Sequence, residues 1–198
     1  MLKPSLFFQE VAATHLSSLR RLLTDVDLAA VDRVVQVLRQ ARDGGSTVFI
    51  VGNGGSASTA SHWVNDLGKA TKRSGCQPIR VLSLSDNTSW LTALANDEGY
   101  DRVFAGQLEN FARACDVLIV ISASGNSLNL IRAVELARGR GVTTVALLGF
   151  DGGRLKDLVG QMVWVKSEKG AYELVEDTHA IVCHAITRCL IADRAEAA

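Results

Sequence analysis

The stretch Thr47–Ser56, read as TVFIVGNGGS, constrains the chain more than any other. Residues of β-branched and aromatic character run into Gly52, Asn53, Gly54, Gly55 and Ser56, and a helical pattern opens at Ala57. A buried strand, a tight glycine turn and a helix N-terminus, in that order, begin a parallel α/β unit. Such a turn exposes backbone N–H groups at the positive end of a helix dipole, which suits an anion and most often a phosphate. Glycine is needed there because a side chain would block close approach.

From Thr47 onward strand and helix patterns alternate. Strands are expected at Thr47–Val51, Ile79–Leu84, Asp116–Ser122, Val142–Leu148 and Met162–Val165. Helices are expected at Ala57–Ala70, Ser89–Asn96, Asp101–Arg113, Ser127–Arg140, Gly153–Val159 and Tyr172–Asp193, with Arg73–Pro78 as a loop. Strands joined in this way make a parallel sheet with helices on both faces, so the expected fold is a three-layer α/β sandwich around a central five-stranded parallel sheet. Ligands in such sheets bind at the carboxyl ends of the strands. Two helices come first. One runs from Ser5 to about Thr24, with Leu6, Phe7, Val11, His15, Leu19 and Leu22 at helical spacing. The next is capped by Asp25 or Asp27, runs to about Asp43 and is stopped by Gly44 and Gly45. Preceding the first strand, they must pack on the sheet edge or on another subunit. The 198 residues read as one domain, with 1–45 a helical arm and 46–198 the core.

The formal net charge of +0 offers no general attraction to nucleic acid or an anionic membrane. No segment is long and apolar enough to span a bilayer, and the N-terminus does not read as a signal peptide. Cys76, Cys115, Cys183 and Cys189 are scattered without CxxC spacing, as expected of reduced thiols in a cytoplasmic protein.

A second loop echoes the first. Strand three ends in Ser122, Ala123, Ser124, Gly125, Asn126 and Ser127. One serine would suffice for helix capping, so three hydroxyls beside a helix N-terminus point to a phosphate shared between the two loops. Gly52-x-Gly54-x-x-Ala57 also matches the dinucleotide fingerprint, with Asp86 as the ribose acid. The serine-rich second loop argues against it. His62 and Asp66 share one face of the helix that the glycine turn launches, a spacing that serves two metal ligands or a base and its partner. The last helix carries Glu173, Glu176, Asp177, His179 and His184. Spacing leaves open which carboxylate works with His184, and which histidine is a packed core residue. Asp97 is a candidate acceptor for sugar hydroxyls.

Taken together, Gly52-Asn-Gly-Gly-Ser56, His62, Asn96-Asp97-x-Gly99-Tyr100, Ser122-x-Ser-Gly-Asn-Ser127 and Asp151-Gly-Gly153 resemble the SIS (sugar isomerase) domain, and more narrowly the phosphoheptose isomerases. The resemblance spans nearly the whole chain. It implies a flavodoxin-like fold, interconversion of sedoheptulose 7-phosphate and glycero-manno-heptose 7-phosphate for surface glycans, and a homotetramer with sites at subunit interfaces. It also implies zinc held by His62, Asp66, Glu176 and His184. Carried over by motif, Ser56, Ser122, Ser124 and Ser127 hold the phosphate, with Asn53, Gly54, Gly55 and Ala123 beside them. Asp97, Glu173 and Glu176 meet the sugar. Asp66 is the base and His184 the acid.

The chain departs from the family pattern on the helix after the glycine turn and on the last helix. Asp66 stands where the family has glutamate, which withdraws the carboxylate by about 1.5 Å. Glu176-Asp177 stands where the family has glutamine then glutamate, and Glu173 matches an aspartate. Glu176 brings a negative charge that favours a divalent cation and disfavours a nearby phosphate. The competing expectation is a non-catalytic SIS protein that binds a sugar phosphate or a replication-initiation partner. The related family that assists replication initiation lacks the metal-site constellation retained here.

Overall fold

Within the first strand, Val48 and Ile50 face one side of the sheet and Phe49 and Val51 the other, and all are buried. Burial on both faces is what a parallel sheet covered by helices requires. The computed structural model describes residues 6–72 and 77–192. Its single sheet has strands β1 (Thr47–Gly52), β2 (Arg80–Ser83), β3 (Val117–Ser122), β4 (Thr143–Leu148) and β5 (Gln161–Trp164). All are parallel, in the order β2-β1-β3-β4-β5. The order reverses between β1 and β3, which pair with Ile50 against Ile119 and Gly52 against Ile121. Connections leaving these two strands diverge, and a crevice opens at their carboxyl ends. The expected fold is the observed one, down to the two leading helices.

The helices are α1 (Leu6–Thr24), α2 (Leu28–Gly44), α3 (Gly55–Asn65), α4 (Thr88–Asp97), α5 (Ala105–Phe111), α6 (Leu128–Gly139) and α7 (Tyr172–Ala192). Helices α2, α3 and α7 cover one face through Val34, Leu38, Trp63, Val182 and Ile186. Helices α4, α5 and α6 cover the other through Leu94, Phe104, Leu108, Ile131 and Val134. Of the two candidate caps for α2, Asp27 serves: its Oδ1 accepts from the N–H of Ala29 at 2.9 Å and of Ala30 at 3.1 Å. Helix α1 sits apart from the core. Leu22 is buried, but Leu6, Phe7, Phe8, Val11 and Leu16 are exposed. His15, expected on the apolar face, instead meets Asp177 of α7, with Nε2 to Oδ2 at 3.0 Å.

The structure revises some elements. The helix expected to Ala70 stays α-helical only to Asn65 and continues as a π-helical turn, Asp66–Ala70. The helix expected over 101–113 is a 3-10 turn at Tyr100–Arg102 followed by α5, because Gly99, at φ 100°, redirects the chain. The expected helix at 153–159 is a 3-10 turn, Arg154–Asp157. The expectations at Ser5, at residues 73–76 and at Asp193 fall outside the described residues.

Candidate active site

The crevice between β1 and β3 is floored by the turn that the sequence singled out. Gly54 sits at the N-cap of α3 with φ 54°. The carboxylate of Glu176 occupies the space beside Gly55 that a Cβ would take, so a side chain there would have to displace it. The first turn of α3 therefore lies directly under that carboxylate.

The opposite wall is a rigid serine loop. The Ser122 hydroxyl accepts from the Gly125 N–H at 3.0 Å, and the Ser124 hydroxyl accepts from the Asn126 N–H at 3.3 Å. Asn126 donates its amide to the Ser124 carbonyl at 2.9 Å and accepts from the Arg154 N–H at 3.0 Å. Gly125, at φ 63°, packs on the carbonyl of Gly152. This is the physical use of the Asp151-Gly-Gly153 motif: it staples the serine loop from behind. Ser127 stands at the N-cap of α6 but makes no side-chain capping bond, so its hydroxyl is left for another partner.

The two loops enclose a cavity of about 150 Å³ lined by Asn53, Ser56, Ser122, Ala123, Ser124, Ser127, Leu130, Tyr172 and Glu176. Hydroxyls, an amide and the N-termini of α3 and α6 converge there, and among the described residues no lysine or arginine lines it. That set suits a single phosphate group. A larger hollow of about 670 Å³ opens beside β2 and α5. It lies toward the amino end of β1, and its carboxylate, Asp116, is already used by the Thr47 and Arg113 N–H groups, each at 2.8 Å. Ligands in this class of sheet bind at the other end.

Sequence reasoning missed Asn129 and named Tyr100 only within a motif; the two together hold Asn53. Asn53 and Asn129 exchange amide hydrogen bonds at 3.0 and 2.9 Å, and the Tyr100 hydroxyl donates to Asn53 at 3.0 Å. The signal available was Asn129, two residues past Ser127. Asp97 and Glu173, expected to meet the sugar, do not line the cavity and are exposed. Asp97 accepts from the Asn96 amide at 2.7 Å. Asp86, the acid a dinucleotide would need, is engaged by the hydroxyl of Ser61.

Farther along α3, a second constellation faces α7. His62 Nε2 and His184 Nε2 lie 3.0 Å apart. Asp66 Oδ2 lies 3.5 Å from the first and 3.6 Å from the second. A tetrahedral ion with bonds of about 2.0–2.1 Å has ligand atoms roughly 3.3 Å apart. The His62, Asp66 and His184 atoms thus fit one metal ion, leaving a fourth position for solvent or substrate. Two imidazoles and a carboxylate are also the donor chemistry that zinc accepts. Glu176, expected as a ligand, is not in this cluster of donor atoms. It lies eight residues before His184, about 12 Å along the helix, with its carboxylate over Gly55. Burial first, then the negative charges of Asp177 and Glu173, raise the Glu176 carboxyl above its ordinary pKa. His179 is the core histidine. It is fully buried, its Nε2 lies 3.2 Å from the Leu148 carbonyl, and burial lowers its pKa to about 4.

Comparison with known proteins places this geometry. A family model described as the SIS domain matches residues 12–149. The phosphoheptose isomerase of Helicobacter pylori (strain Shi470) is 40% identical over 158 residues, 79% of this chain and 80% of that protein. The chain belongs to the SIS family and, within it, to the phosphoheptose isomerases. The solved phosphoheptose isomerase GmhA from Neisseria gonorrhoeae superimposes with a TM-score of 0.85 at 29% identity, covering 93% of this chain and 99% of that one. A lincomycin biosynthesis protein of Streptomyces lincolnensis, LmbN, is 38% identical over 188 residues, 87% of this chain and 68% of that protein.

Proposed function

We propose that this phosphoheptose isomerase family member converts sedoheptulose 7-phosphate to D-glycero-D-manno-heptose 7-phosphate through an enediolate, supplying heptose for surface glycans. One observation carries the reading. The hydroxyl cradle, shared by the α3 N-terminus, the serine loop and α7, and the His62–Asp66–His184 cluster are bridged by α3 and α7, which contribute Ser56 and Glu176 to the first and His62 and His184 to the second. From Ser56 to His62 the rise along α3 is about 9 Å. An extended sugar phosphate anchored at Ser56, Ser122, Ser124 and Ser127 would present its carbonyl end to the cluster.

Isomerisation moves one proton between neighbouring carbons and another between their oxygens. Asp66 is the proposed base for the carbon-bound proton. Its Oδ2 faces the histidines, while Oδ1 lies 3.3 Å from the Asn65 amide, so each oxygen can serve a different task. His184 is the proposed acid at the neighbouring oxygen in the form whose Nε2 carries a proton and not a metal ion. Zinc, held by His62, Asp66 and His184, would polarise the substrate carbonyl and stabilise the developing negative charge. The cradle fixes the phosphate so that the reacting carbons meet Asp66 in one orientation.

The assembly is proposed to be a cytoplasmic homotetramer. Support comes from the exposed Leu6, Phe7, Val11 and Leu16 on α1, a patch suited to burial against other copies. The side chains of His62 and His184 are 58% and 53% exposed, which leaves room for a neighbouring subunit to close the site. No described helix is long and apolar enough to cross a membrane.

The test is proton–deuterium exchange and product analysis with a panel of ketose phosphates, with and without chelator. Exchange at the heptulose carbon adjoining the carbonyl, lost on chelation, is expected. Exchange confined to pentulose or hexulose phosphates would overturn the heptose assignment. Absence of exchange with every ketose phosphate, together with capture of a replication initiator, would favour a non-catalytic SIS protein.

A further inference from the structure

The cradle contains a contradiction in charge. It is built from neutral donors and helix N-termini, and no described cationic side chain lines it, yet one of its walls is a carboxylate. Glu176 sits over Gly55, its carboxylate filling the space a Cβ would take. That is the first turn of α3, where backbone N–H groups and the helix dipole would receive the phosphate. A carboxylate and a phosphate dianion would therefore crowd the same end of α3.

We propose that Glu176 tunes the affinity of the cradle: its carboxylate competes with substrate phosphate for the α3 N-terminus and sets how weakly the phosphate end is held. The inference rests on reading the cradle as the phosphate site.

The surroundings do not relieve the conflict. The charged neighbours of Glu176 on α7 are Glu173 and Asp177, both acidic. Asp177 is engaged by His15 of α1. The walls contributed by α3, the serine loop and α6 are uncharged, and Tyr172 adds only a phenol. The carboxylate form of Glu176 is disfavoured there even without a second anion. A bound dianion adds repulsion across a small, partly buried space, where screening is weaker than in bulk water. Glutamine at this position keeps the shape and could donate a hydrogen bond to the phosphate. Glutamate holds the same space but opposes the charge. The device therefore acts on affinity for the phosphate end, whatever sugar follows it.

Direct titration of the full-length protein with inorganic phosphate tests this without requiring turnover. The proteins compared are wild type, Glu176→Gln, Glu176→Ala and Ser127→Ala, with the fold of each checked by thermal melting. Glu176→Gln is expected to tighten phosphate by about tenfold, Glu176→Ala to act in the same direction, and Ser127→Ala to weaken it. In turnover, Glu176→Gln should lower KM for the sugar phosphate in parallel. If Ser127→Ala weakens phosphate while both Glu176 variants leave it unchanged or weaker, the proposal is overturned and the cradle stands. If no variant alters phosphate binding, the cradle reading falls and takes the proposal with it.

Discussion

The indole N–H of Trp63 donates to the Thr187 hydroxyl across 3.2 Å, inside the core between α3 and α7. Trp63 follows His62 directly, and Thr187 lies three residues after His184. This buried bond sets the register of the two helices at the point where the histidines meet. Thr187→Val keeps the volume but leaves the indole N–H unpaired. It should cost about 1–3 kcal/mol of stability by urea unfolding. A variant as stable as wild type would show that the bond does not hold the helices.

Zinc is the ion proposed for the His62, Asp66 and His184 donor atoms. Titrating zinc into metal-free protein should raise its stability, by about 2.7 kcal/mol when free zinc is a hundredfold above Kd. His62→Ala and His184→Ala should each remove that stabilisation. An equal rise in melting temperature with zinc in both variants would place the metal elsewhere.

Asp66 carries the proposed proton abstraction. Asp66→Asn should lower turnover by about 10²–10⁴-fold, with far-UV circular dichroism unchanged. Asp66→Glu returns a carboxylate but shifts it by about 1.5 Å, and a displacement of that order can cost roughly a hundredfold. Wild-type turnover in Asp66→Asn would remove Asp66 from the chemistry.

His179 makes stability depend on pH. Its folded pKa is about 4, against an ordinary value of 6.5. As pH falls below 6.5, the unfolded chain takes up the proton first. The contribution is therefore complete above 6.5 and is lost as pH falls toward 4, by roughly 3 kcal/mol in total. His179→Gln should flatten that part of the stability profile in urea unfolding at a series of pH values. An unchanged slope would refute the assignment.

Much of the architecture was legible along the chain. Residues 47–56 and 122–127 are local patterns, and local patterns report on strands, turns and helix starts within a few residues. The pairing of His62 with Asp66 was visible because helix geometry places residues four apart on one face. The ends of elements were less legible. The π turn at Asp66–Ala70 and the 3-10 turn at Tyr100–Arg102 keep apolar spacing that looks α-helical. Asn129 escaped because its role is an amide exchange with Asn53, 76 residues away.

By itself, the sequence determined the parallel α/β class, the glycine- and serine-rich loops and the identity of the polar groups available. These depend on hydrophobic periodicity and on the conformations that glycine and serine permit. Only the tertiary structure decided which of those groups meet. It took His179 into the core, brought His184 to His62, tied Asp177 to His15, and set Glu176 over Gly55 instead of beside Asp66. The reason is physical. A helix face is known from its sequence, but its rotation and height over the sheet follow from buried contacts between segments more than a hundred residues apart, such as Trp63 with Thr187.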